Sequence, residues 1–253
     1  MEFVETMSRV GRIRKIAICI SGGFRTWKES VKTWNKMIRV PYVEVDYFFH
    51  TWDTVYPPKS FVDEKRREGM GDEQIYSEFS SPLDPQELQE VIEYFKPVSY
   101  LVETPKEFKE KNRNQTIFAG DNLGQFYGIM MAGKLKRKYE LQNDFMYDLV
   151  IRMRFDTIFY SDIIVDNYRP ELKAMYGNHY DFFYENNWKG RIGDIFWCSD
   201  SLTYDILSDF YLELPTLTTY PRGTPPEYTW FNYIKKNQIK IIPNSKWNLH
   251  LLR

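Results

Sequence analysis

Cysteine is nearly missing from this 253-residue chain: only Cys19 and Cys198 occur, each inside an apolar run. Neither stands in a C-x-x-C pair or a zinc-ligand spacing, which removes thiolate metal sites from consideration. The two thiols read as buried groups of a reducing compartment. A basic excess is missing too, since 34 Lys and Arg stand against 35 Asp and Glu for a formal net charge of −1. General affinity for nucleic acid is therefore not expected. No apolar run is long enough to cross a bilayer, and the first ten residues lack the apolar core of a signal peptide. A cytoplasmic protein without a transmembrane segment is the expectation. No internal repeat or low-complexity linker divides the chain, so one domain over residues 1–253 is expected.

Two phosphate-binding signatures are also lacking. No GxxxxGK[ST] loop occurs, and Ser21-Gly22-Gly23 is followed by Phe24-Arg25-Thr26 where an ATP pyrophosphatase loop needs Asp-Ser. Aromatic residues, by contrast, are abundant: 19 Tyr, 18 Phe and 7 Trp make up 17% of the chain. Exposed, they would offer stacking platforms for sugar rings or bases; buried, they build core. With 43% hydrophobic and 27% charged residues the composition is that of an ordinary globular protein.

The order of patterns predicts an α/β layer fold with a mostly parallel sheet. Lys15 to Ile20 reads as a buried strand running into a glycine turn, and Thr26 to Arg39 as a helix. Val43 to His50 is a second strand. Residues 59–82 are polar and leave the core as an excursion or lid. Asp84 caps a helix that starts at Pro85 and runs to about Phe95, and Ser99 to Val102 is a third strand. A long helix covers Phe118 to Tyr139, where Leu123, Phe126, Tyr127, Met130, Met131 and Leu135 follow helical spacing. In the second half, Tyr180–Tyr184 and Asp194–Cys198 read as strands. Ser201–Leu212 and Glu227–Asn237 read as helices, and Ile239–Ile242 as a late strand.

Between Leu149 and Phe159 an apolar strand pattern carries Arg152, Arg154 and Asp156 at every second position. Strand side chains alternate, so these three share one side while Ile151, Met153 and Phe155 fill the other. Such charges are costly to desolvate unless paired. A bound anion with a cation would pair them, as would carboxylates such as Asp156 or Asp148. In open α/β sheets ligands bind beyond the carboxyl ends of the strands. That edge gathers Ser21, Gly22, Gly23 and Arg25 after the first strand and Asp156 near the end of the fourth. The glycines permit close backbone approach, and a guanidinium suits a phosphate.

The succession KIAICISGGFRTW, VDYFFHTWD, GQFYGIMMAGKLKRKYE and YDLVIRMRFD resembles glycosyltransferases of GT-A type found in polysaccharide gene clusters and in large viruses and phages. The resemblance covers about residues 15–160 well and the remainder loosely. It implies a Rossmann-like GT-A fold with helices on the sheet, a nucleotide-sugar half over about 15–160 and an acceptor half over about 161–253. It implies a nucleotide-sugar donor, a glycan acceptor, and a divalent cation (Mn or Mg) held by an Asp-x-Asp motif. Arg154-Phe155-Asp156 stands at that motif, so only Asp156 carries over. The result is either a weak metal site or one where Arg152 or Arg154 neutralises the diphosphate. His250, in WNLHLLR, is placed as an extra metal ligand or as a packing residue.

His50, beside Trp52 and Asp53, faces the same edge and is a candidate for the base or ribose. Gln125, near the start of the long helix with Asp121 and Asn122, is a candidate for base, ribose or sugar hydroxyls. The basic run Lys134–Tyr139 reads as a solvated helix end. An inverting transfer needs a carboxylate to take the acceptor proton. Asp194 is the first candidate and Glu227 the second, the latter also suited to stabilising a helix N-terminus. Trp188, Trp197 and Tyr228 are candidates to stack on an acceptor ring, with core packing the competing use of Trp197. Glycosyl transfer is the leading reading. A sugar-phosphate nucleotidyltransferase and a non-catalytic glycan-binding or assembly protein are the alternatives.

Overall fold

The computed structural model describes residues 13–36, 43–112, 122–161, 170–178, 195–214, 226–244, 247 and 249–251. In chain order the strands are β1 (Lys15–Ser21), β2 (Glu44–Trp52), β3 (Thr54–Val55), β4 (Ser81–Pro82), β5 (Ser99–Glu103) and β6 (Leu149–Met153). They continue with β7 (Thr157–Phe159), β8 (Ala174–Asn178), β9 (Trp197–Ser199), β10 (Lys240–Asn244) and β11 (Leu249–Leu251). The described helices are α1 (Trp27–Ser30), α2 (Lys59–Arg67), α3 (Asp72–Phe79), α4 (Pro85–Phe95), α5 (Pro105–Lys111), α6 (Asn122–Asn143), α7 (Ser201–Ser208), α8 (Phe210–Glu213) and α9 (Pro226–Lys236).

Seven strands form one sheet in the order β10-β8-β9-β6-β1-β2-β5. β1 lies between β2 and β6, parallel to both, and β5 extends the parallel set beyond β2. β9 alone runs antiparallel to its neighbours β6 and β8. The fold is thus α/β with a mostly parallel sheet, as the strand and helix pattern predicts. The chain reverses its direction of travel across the sheet between β1 and β6, the kind of switch point where ligands of open sheets bind.

β1 is apolar from Ile16 to Ile20 because both of its faces are covered. Ile16, Ile18 and Ile20 join Ile151 and Met153 against Trp27, Trp34, Val91 and Phe95. Ala17, Cys19 and Val150 meet Phe126, Ile129, Tyr204, Leu207 and Trp230 on the other face. Many of the described aromatic residues are core of this kind. Burial pushes the Cys19 thiol up to about 12, with smaller opposing help from Lys136, and raises Cys198 as well.

Local signals behave as their chemistry dictates around α4. Asp84 Oδ1 accepts the Gln86 N–H at 2.9 Å, Pro85 opens the helix, and Lys96 closes it in a left-handed conformation. The excursion at 59–82 is two short helices, α2 and α3, tied back to the end of β2 by the ribbon β3–β4. The helix expected from Thr26 is one turn of α-helix followed by a 3-10 segment over Val31–Lys36.

Two expectations are corrected. The charged strand expected over Leu149–Phe159 is two strands, because a β-turn intervenes. Thr157 N–H reaches the Arg154 carbonyl at 3.3 Å, and Thr157 Oγ1 accepts the Arg154 N–H at 3.2 Å. β7 then leaves the main sheet and pairs with β11. The alternation that would align Arg152, Arg154 and Asp156 therefore ends at Met153. The basic run at the end of the long helix is not uniformly solvated either. Lys136 is fully buried, bound to Glu140 at 2.8 Å and to Asp205 at 2.9 Å, and Ser201 Oγ completes its shell.

Candidate functional site

Two turns meet at the switch point. The first, Ser21 to Arg25, leaves β1; its Gly22 has φ +122°, and its amide donates to the His50 carbonyl at 3.2 Å. Thr51 Oγ1 donates to the Gly22 carbonyl at 3.0 Å, so β2 holds the turn from both sides. Among the described residues nothing lies within 4 Å of a Cβ position on Gly22, so the turn faces open space. Arg25 has φ +41°. Lys96, Asp144 and Gln238 share that left-handed conformation after helices, where it closes the last turn, and Lys173 shares it just before β8. Arg25 precedes a helix, and its strain is of the kind that collects at functional turns.

The second turn is Arg154 to Thr157. Phe155 is buried edge-on against Phe24, with ring centroids 4.8 Å apart, and also against Phe49 at 5.2 Å. This aromatic lock pins the two turns together and so fixes the polar residues beside them. Arg154 grips Asp156 as a fork, Nε to Oδ1 at 2.8 Å and Nη2 to Oδ2 at 2.7 Å. Arg25 Nη1 stands 3.9 Å from the same Oδ2. The Asp156 side chain is 1% exposed, that of Arg154 19% and that of Arg25 35%. The carboxylate is the floor and the guanidiniums are the face shown to solvent.

Beside the first turn, a polar row runs under α6. His50 is fully buried and meets Glu103 through Nε2 at 3.0 Å. An ionised carboxylate only accepts, so Nε2 is the donor in this contact. Tyr127 donates to the other Glu103 oxygen at 2.9 Å; burial, and then that carboxylate, raise its hydroxyl well above the usual range. Neither Ser21 Oγ nor His50 Nδ1 has a hydrogen-bond partner among the described residues. α6 approaches them closely because Gly128 has no side chain: a Cβ there would stand 3.0 Å from Nδ1 and 3.4 Å from Oγ. The first turn of α6, which carries the half-buried Gln125, rests on Trp52 and Phe108 through Gly124. Trp52 lies nearly parallel to Tyr127 at 5.9 Å.

The structure therefore brings together Ser21, Gly22, Gly23, Arg25, His50, Arg154 and Asp156, with Gln125 on the overlying helix. Arg152 stays on β6, fully buried, opposite Cys19 and Trp197, with its charge beside the Tyr204 hydroxyl. Trp197 is fully buried against Tyr204 and Trp230, so it packs the core and stacks on no acceptor. Asp53 ties strand ends together by accepting from Thr54 and Thr104. Asp194, Trp188 and Asp121 lie outside the described residues. Glu227 is in the first turn of α9 and His250 on β11 opposite Ile158, but the side chains of both lie outside what is described. Sequence reasoning missed Glu103 and Gly128. Glu103 is the last residue of a strand and Gly128 an isolated glycine inside a helical run, a signal of close packing.

A divalent cation does not fit this arrangement. Both Asp156 oxygens are engaged by Arg154, with a second guanidinium beside them, and the described residues contain no group of three His, Cys, Asp or Glu that could hold a metal. A depression of about 770 Å³ opens at the opposite edge of the sheet, lined by Arg14, Lys15, Glu44, Tyr139, Phe145 and Asp148 among others. Its Asp148 carboxylate is already used by the Arg14 and Lys15 amides at 2.8 and 3.0 Å. Among the described residues no helix is long and apolar enough to cross a membrane. No protein-family model matches the chain, and no curated protein does.

Proposed function

We propose that the chain is a glycosyltransferase of GT-A type that moves a sugar from a nucleoside-diphosphate sugar to a hydroxyl of a glycan acceptor. The observation that carries this reading is the pair of guanidiniums, Arg25 and Arg154, set over Asp156 where two turns meet at the sheet's switch point. A diphosphate lodged above Gly22 would find positive charge already oriented, with little reorganisation left for the moment of bond breaking. In the transfer, the bond from the anomeric carbon to the diphosphate oxygen breaks and its electron pair leaves with the diphosphate. The acceptor oxygen bonds to the anomeric carbon, and its proton passes to a base. Asp194 and Glu227 remain the proposed bases of an inverting reaction. The row Ser21, His50 and Glu103 supports the ribose or base side of the donor, next to Trp52 and Gln125.

The test is a screen of UDP, GDP, CMP and dTDP sugars for thermal stabilisation, followed by transfer assays on the donor that binds. A ligand that binds only the folded chain raises its melting temperature by mass action. Asp156→Ala is expected to abolish transfer while the fold remains. Full transfer by that variant overturns the assignment.

A further inference from the structure

Resting on the donor reading above, we infer that this site holds the nucleoside diphosphate by guanidinium groups without a divalent cation, and that Asp156 is a positioning residue rather than a metal ligand. The order of exposure is the first ground. A group arriving from solvent meets Arg25 and Arg154 before it meets the carboxylate, which is 1% exposed beneath them. What that group meets first is a set of N–H donors, which suit a phosphate oxygen and offer a metal ion no lone pair.

The second ground is the carboxylate's occupation. Magnesium and manganese take one or two carboxylates as ligands and need the oxygen lone pairs directed at them. At Asp156 each oxygen already accepts an N–H of Arg154, at 2.8 and 2.7 Å. A dication on the outer lone pairs would sit across one carboxylate from two cations.

The third ground is rigidity. The Arg154 fork fixes the plane of the guanidinium, and Phe24 against Phe155 fixes the distance between the turns. Asp156 thereby does for the two arginines what a buried carboxylate does for a catalytic histidine: it holds the cation where charge develops. The arginine at the first position of the acidic motif becomes a replacement for the metal.

Isothermal titration of the nucleoside diphosphate that emerges from the screen, and of inorganic pyrophosphate, with EDTA and then with Mg²⁺ or Mn²⁺, tests this. The expected result is equal affinity, within about twofold, in both conditions. Arg154→Ala and Arg25→Ala are each expected to lose about tenfold or more in EDTA, the loss of one charge-assisted contact. Arg154→Lys, which keeps the charge, should recover part of that loss, a recovery that collapse of the turn would not allow. Binding by the wild type that appears only with the cation overturns this inference and leaves the donor reading standing. Wild-type affinity in both arginine variants also overturns it. Absence of any binding with or without metal overturns the donor reading and the inference together.

Discussion

Charge gathers around buried groups in two regions of this molecule, and they differ in which sign lies innermost. Under α6 and α7, Lys136 and Arg137 face Glu140, Asp205 and Asp209, with Ser201 bridging Lys136 and Glu140. The Lys136 ammonium lies innermost, and these side chains carry one more negative charge than positive. At the sheet's switch point the order is reversed: the Asp156 carboxylate lies innermost, with Arg154 and Arg25 nearer the solvent. The first region fastens two helices to each other. On the proposed reading, the second receives the diphosphate.

The comparison breaks most sharply at Lys136. Lys136→Ala would leave Glu140 and Asp205 without their shared cation inside the protein, at a cost of about 3–5 kcal/mol. Urea denaturation should show a lower midpoint of that size. A change below about 1 kcal/mol would mean the cluster is not the fastening described.

Two glycines on α6 sharpen the contrast, because one faces each region. A Cβ on Gly133 would stand 2.7 Å from Ser208 Oγ and 3.2 Å from Tyr204, and on Gly128 3.0 Å from His50 Nδ1. Gly133→Ala is expected to lose about 1–3 kcal/mol of stability by overpacking, with diphosphate affinity unchanged. Gly128→Ala needs a shift of only a few tenths of an ångström, so its stability should change less while donor affinity falls. Paired denaturation and titration would show it; the opposite pattern contradicts the division of roles.

The effect smallest near neutral pH is one that grows only in alkali. Burial holds the Cys19 thiol protonated up to about 12 in the folded chain, against an ordinary value of 9.0. Between those values the unfolded chain has lost the proton and the folded one has not, so stability falls as pH rises, by up to about 1.4 kcal/mol per pH unit. Cys19→Ala should make that alkaline decline shallower without altering ligand affinity.

Much of this arrangement was legible in the residues. The apolar run of β1 ending in Ser-Gly-Gly, the Asp84-Pro85 helix start and the α/β alternation each rest on short-range chemistry and appear as expected. The turn at Arg154–Thr157 was hidden because Phe155 and Ile158 continue an apolar strand pattern, while Thr157 makes the turn through a hydroxyl that periodicity does not register. Lys136 was hidden for a related reason. A lysine in a basic run looks solvated until Asp205 and Ser201, distant in sequence, are brought against it. Glu103 and Gly128 matter through His50, Tyr127 and Ser21, and those contacts are tertiary.

The central claim is that two arginines, held by Asp156, form the diphosphate seat. A crystal structure of the chain with a nucleoside diphosphate and Mg²⁺ tests it most directly. The account predicts the diphosphate above Gly22, within hydrogen-bond reach of Arg25 and Arg154, with the Arg154–Asp156 fork intact. A metal ion on Asp156 with Arg154 swung aside, or a diphosphate bound away from both turns, would contradict it.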